Sequence, residues 1–140
     1  MIPLTWLFAI LLVAYILLIA GRLNLASVSR DLRRQEEAEA KGLKLLIDNL
    51  TAVQSQQYDR FGYFDVVGSK TGKRYRICHG TSRNVNELLE HNRLGAGRCF
   101  MPRGNLVAGD CMLAQKIALE NCEEEALKVA LPFLWADRCT

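Results

Sequence analysis

The chain has 140 residues, a net charge of +3 and a sequence that is half hydrophobic. That length allows one domain plus an appendage, and so small a charge excludes a generalised polyanion binder while leaving room for a local basic patch. The charge is unevenly spread, because residues 1–21 carry no charged side chain at all.

Residues 3–20 just reach the roughly 17–20 apolar residues that a bilayer-spanning helix needs. A cleaved leader would place Lys or Arg before its apolar run and small residues at the cut. Here no basic side chain precedes the run, and Leu18-Ile19-Ala20 lacks the small residue three positions before the cut. The run therefore reads as an uncleaved membrane anchor that turns Trp6, Phe8, Leu11, Leu12, Tyr15 and Leu18 to lipid, with Trp6 near one interface. Arg22, Arg30, Arg33 and Arg34 follow it. The positive-inside rule then predicts an outer N-terminus and a cytoplasmic C-terminal domain. Asp31, Glu36, Glu37 and Glu39 could pair with those arginines on a solvated helix, and only Arg22 is independent of that explanation.

After a short polar joint at 24–29, Ser29 or Asp31 is placed to cap a helical stalk. Its first half is rich in Arg, Glu, Gln and Ala, all good helix formers. Its second half gains a packing stripe at Leu43, Leu46, Ile47 and Leu50, and Gly42 marks the change by loosening the helix. Thr51 with Gln54 matches a capping box and predicts a helix over 52–58, ending before Gly62, with Val53, Gln57 and Tyr58 inward. The domains expected are an anchor over 1–21, a stalk with the short capped helix over 22–58, and a small α+β domain over 59–140.

"YFDVVGSKTGKRYRICHG", residues 63–80, reads as a hairpin. Residues 68–72 form its turn, Tyr75 and Ile77 its apolar face, and Arg74, Arg76 and Cys78 the other. "NVNELLEHN" fits a strand or a helical turn. Gly95 and Gly97 punctuate the chain before a strand over 98–101 that Pro102 stops, and Gly104-Asn105 signals another turn. Asp110 is placed as the N-cap of a helix over 110–121, with Cys111, Leu113, Ala114, Ile117 and Ala118 inward. A last helix runs from Glu123 or Glu124 to Ala130, acidic in its first turn, and Pro132 stops it. Hairpins followed by a helix favour an α+β fold with an antiparallel sheet of three or four strands packed against a C-terminal helix.

Taken together, "LLIDNLTAVQSQQY", "GYFDVVGSKTGKRYRI", "NVNEL", "RCFMPRGNLVAGDCMLAQKIALE" and "EEEALKVA" resemble a small domain of uncharacterised bacterial and phage-encoded proteins. Near Thr51 that pattern reads Leu-Thr-Pro-Glu-Gln, where this chain has Ala52-Val53-Gln54. The resemblance spans residues 43–130 and leaves the anchor outside. It implies a fold, and brings no activity and no site residues.

No constellation demands chemistry. The five cysteines, Cys78, Cys99, Cys111, Cys122 and Cys139, are odd in number and widely spaced, which suits reduced, buried thiols. Cys78-His79, His91 and Cys99 do not supply the two close ligand pairs of a structural zinc site. "GSKTGKR" lacks phosphate-loop spacing and leads into a strand rather than a helix. Two surfaces remain as partner contacts. One is the basic hairpin, Lys70, Lys73, Arg74 and Arg76, which reads first as a solvated edge, then as a lipid or protein contact, and last as a nucleic-acid ribbon. The other is Phe133, Leu134 and Trp135, which reads first as core. The expected function is a non-enzymatic, membrane-anchored interaction or accessory subunit that uses no cofactor. Its partners would be the bilayer and a protein or second copy. The alternatives are a membrane-tethered nucleic-acid binder and a small enzyme built on Cys78 or Cys99.

Overall fold

The computed structural model describes residues 4–101, 103–104 and 106–133. The chain forms two units, residues 1–37 and 38–140. In the first unit the backbone is helical from Leu4 onward, as part of a helix α1 that is assigned to Leu4–Asp48. The polar joint expected at 24–29 is itself helical, and neither Ser29 nor Asp31 caps a helix there. No Gly or Pro interrupts residues 22–41, so nothing local stops propagation. Among the described residues no helix is long and apolar enough to cross a membrane. The side chains of 11–19 are exposed. The side chain of Phe8 lies outside the described residues.

The second unit is α+β. Helix α2 (Ala52–Phe61) starts at the expected capping box, with Thr51 and Gln54 exchanging side-chain and backbone bonds. It stops at Gly62, whose φ of 70° only glycine adopts without cost. Gln54, and not Val53, is its buried residue, since Val53 is exposed. Among the described residues five strands follow: β1 (Tyr63–Val67), β2 (Arg74–Cys78), β3 (Val85–Leu88), β4 (Leu94–Cys99) and β5 (Leu131–Phe133). They pair in chain order as one antiparallel sheet, one strand more than the composition suggested. β2 is therefore an inner strand and not an edge.

β4 takes in Gly95 and Gly97, which read in sequence as breaks. The ring of Phe133 lies where a side chain on Gly97 would be, so the glycine admits the aromatic from the neighbouring strand. Pro132 sits inside β5, and β5 is an edge strand, where a missing N–H is tolerated.

Helix α3 (Ala108–Val129) covers one sheet face and carries a non-helical residue, Cys122 (φ −137°, ψ 46°). It is thus two helical pieces joined at the place where the sequence separates them. Its N-cap is Val107, with no side-chain cap bond, and Asp110 lies in the first turn. The helix starts two residues before Asp110, and Gly109 lies close against α1. A side chain on Gly109 would collide with the backbone of Gly42 and Leu43. Gly42 therefore lets two helices touch and does not loosen α1. The core joins Phe64, Val66, Tyr75, Ile77 and Val85 of the sheet to Met112, Leu113 and Leu119 of α3 and Leu46 of α1. Each large side chain so buried contributes roughly 1.5–3 kcal/mol. Leu43 and Leu50 flank the core, whereas Ile47, Ala114 and Ile117 face out. Cys111 and Leu113 are buried as expected, and the inward face of α3 also takes in Met112, Gln115, Lys116, Leu119 and Glu123.

Candidate functional site

The tip of the β1–β2 hairpin grips an anion, and the anion belongs to the chain itself. Glu123 is 1 % exposed. Its carboxylate accepts from the backbone N–H of Lys70 (2.8 Å) and of Thr71 (2.7 Å), and from the hydroxyls of Thr71 and of Tyr75 (2.7 Å). In return the Glu123 N–H donates to the Ser69 hydroxyl at 3.3 Å, and the Ser69 N–H to the Leu119 carbonyl at 3.0 Å. Gly68 makes room, because a side chain there would strike the Glu123 carboxylate. The break at Cys122 turns Glu123 into this loop.

Burial by itself would push the Glu123 pKa up. The hydrogen bonds of Thr71, Tyr75 and Lys70 outweigh it and bring the pKa down to about 2. Tyr75 shifts the opposite way, raised by burial first and then by its bond to Glu123. A carboxylate so fully occupied and so acidic is a poor general base, because its lone pairs are spent on the loop. The site holds two chain segments together.

The basic side chains of the hairpin are also engaged. Arg76 meets Asp65 through two nitrogens, at 2.9 and 3.2 Å, and Arg74 reaches the same carboxylate at 3.0 Å and Asn92 at 2.9 Å. Lys73 pairs with Glu87 at 2.7 Å and Lys70 with Glu124 at 3.6 Å. The Arg76 guanidinium also stacks on Tyr63, 3.8 Å from its ring centre. The charges that look unopposed in sequence thus meet carboxylates from β1, β3 and α3. Beside the cradle lies a cleft of about 380 Å³ lined by Lys70, Thr71, Glu123, Glu124, Leu127 and Lys128. Both rim lysines share Glu124, with Lys128 at 3.3 Å.

The other candidates do not converge. Phe133 lies on β5, far along the sheet order from the hairpin tip, and Leu134 and Trp135 lie outside the described residues. His79 accepts from or donates to the Tyr58 hydroxyl at 2.7 Å, and His91 sits in an exposed turn. Among the described residues no cluster of His, Cys, Asp or Glu could hold a metal ion. Cys99 and Cys111 are free and buried, and Cys122 is free and exposed. Burial, followed by the nearby Asp110 and Glu39, raises the Cys111 pKa, which is the reverse of an activated nucleophile. Cys78 is disulfide-bonded, so the reading of the cysteines as uniformly reduced thiols does not hold. Cys139 lies outside the described residues.

Sequence reasoning placed Glu123 in a helix first turn and missed its burial. The only local signal is a glycine-rich turn dense in N–H donors, and its acceptor lies about fifty residues away in sequence. No family model, curated protein or solved structure matches the chain.

Proposed function

We propose that the protein is a single-pass, membrane-anchored interaction subunit whose α+β domain docks to a larger membrane assembly without catalysing a reaction. The observation that carries the reading is on α1. Residues 11–19 are uncharged and all exposed. At 100° per residue these consecutive positions cover the whole circumference of the helix. A helix that is apolar all round needs lipid or protein on every side, and the uncharged sequence continues from residue 3 to residue 21. The paired charges of the hairpin and the spent carboxylate of Glu123 favour an interaction role over a nucleic-acid ribbon or an enzyme.

A pull-down from native membranes in mild detergent, through a C-terminal tag, tests this. A stoichiometric set of membrane proteins is the expected result. Nucleic acid in the eluate, or a chain that is never membrane-bound, would contradict it.

For orientation, Arg22 and the arginines after it favour a cytoplasmic domain. A second reading, with the domain outside, is favoured by the bonded Cys78, since disulfides persist in oxidising compartments. Cys122, free and exposed, separates the two. A membrane-impermeant maleimide added to intact cells leaves it unlabelled in the first orientation and labels it in the second.

A further inference from the structure

We infer that a second copy of this chain packs along one stripe of α1, parallel and in register, through Leu18, Gly21, Leu25, Val28 and Leu32. The inference rests on the anchor reading above, because a shared bilayer is what aligns two such helices in parallel. The positions step by three, four, three and four residues, the 3.5-residue repeat of a two-stranded seam. The same register runs back to Leu11 and Ala14. Leu18, Leu25, Val28 and Leu32 are 66, 71, 55 and 56 % exposed.

Lipid tails do not account for the last three. Leu25, Val28 and Leu32 lie beyond the uncharged run, among Arg22, Arg30, Asp31, Arg33 and Arg34. They fall within about 60° of one another around the helix axis, an apolar line beside the exposed Arg30, Asp31, Arg33 and Arg34. In the repeat, Arg30, Arg33 and Arg34 take outer positions, away from the seam. Arg34 lies 4.0 Å from Asp31 on the same helix.

A second copy fits because the seam is complementary to itself. In-register pairing sets each leucine against its own equivalent. Ala14 and Gly21 occupy alternate seam positions in the uncharged stretch, where small residues let helix backbones approach. The flanking positions Asn24 and Ser29 are uncharged, and Arg22 flanks the seam beside Gly21. The seam also has an end. Gln35 and Glu39 take its next two places, and the flanking Asp31 and Glu36 would face each other across the pair with like charge, so the helices part after Leu32.

Oxidative cross-linking of the full-length chain in membranes tests this, in a Cys122→Ser background that removes the exposed thiol. Leu25→Cys, Val28→Cys and Leu32→Cys should each give a covalent dimer that carries two different tags when two tagged copies are co-expressed. Ala26→Cys, Arg30→Cys and Gln35→Cys should give little. Adding Leu25→Glu and Leu32→Glu to Val28→Cys should abolish its dimer. Equal cross-linking at all positions, none at any, or a cross-link to a different protein would overturn the pairing. Membrane pellets assayed alongside keep the two readings apart. A pelleted chain that does not cross-link refutes the pair and leaves the anchor. Seam-specific dimers of a chain found only in the soluble fraction refute the anchor and uphold the pair.

Discussion

The Tyr75 hydroxyl donates to the Glu123 carboxylate at 2.7 Å, and this bond joins the inner strand of the hairpin to the second piece of α3. Both groups are buried, at 1 % exposure each. Removing the acceptor strands several donors at once, and a buried donor left unpaired costs about 1–3 kcal/mol. Glu123→Ala should therefore destabilise the folded unit by about 3 kcal/mol or more, and Tyr75→Phe by about 1 kcal/mol, the usual net value of one such bond. Urea midpoints at neutral pH measure both. A Glu123→Ala midpoint equal to that of the wild type would remove the cradle from the account.

The same carboxylate sets an acid limit. Its folded pKa of about 2 lies below the ordinary value of 4.5, so the unfolded chain binds the proton more readily. The stabilisation is complete above pH 4.5, fades as pH falls, and is gone once pH has passed below about 2. The full difference corresponds to roughly 3 kcal/mol. Wild-type stability should fall through this window more steeply than that of Glu123→Gln, measured as urea midpoints at stepped pH. Parallel slopes would contradict the assignment.

Gly109 is a point of closest approach. A methyl group there meets the backbone of Gly42 and Leu43, and backbone cannot turn aside as a side-chain end can. Gly109→Ala should cost about 1–3 kcal/mol, the range for overpacking, although alanine is the better helix former. Thermal melts of this variant beside Ala114→Gly, an exposed site on the same helix, distinguish packing from propensity. The first should melt well below the wild type for the packing reason, the second only slightly below for the propensity reason.

The hairpin charges make a fourth prediction. Asp65 holds both Arg74 and Arg76. The wild-type domain should bind an oligonucleotide weakly and with little dependence on salt. Asp65→Ala removes the carboxylate partner of two guanidinium groups, and binding should then strengthen and decline more steeply with salt. A steep salt dependence in the wild type would revive the nucleic-acid reading.

Much of this was legible in the sequence wherever the signal is local. The Thr51–Gln54 capping box, the stop at Gly62, the alternation of Tyr75 and Ile77, and the break between Asn121 and Glu123 each depend on a few neighbouring residues. What was misread depends on partners far along the chain. Gly97 looks like a break until Phe133 arrives to lie on it, and Gly42 looks like a weak point until Gly109 packs there. Lys70, Lys73, Arg74 and Arg76 look like a free basic patch until Asp65, Glu87 and Glu124 are placed beside them. Glu123 looks like an ordinary first-turn acid because nothing near it in sequence announces the loop that encloses it.

The anchor is the premise of the proposed function, and a carbonate wash of membranes tests it most directly. The intact chain should stay in the pellet at alkaline pH, and a Leu12→Arg, Ile16→Arg double variant should move to the supernatant, since a charge at mid-bilayer costs roughly 2.5–3.5 kcal/mol for each arginine. An intact chain released by the wash would contradict the account.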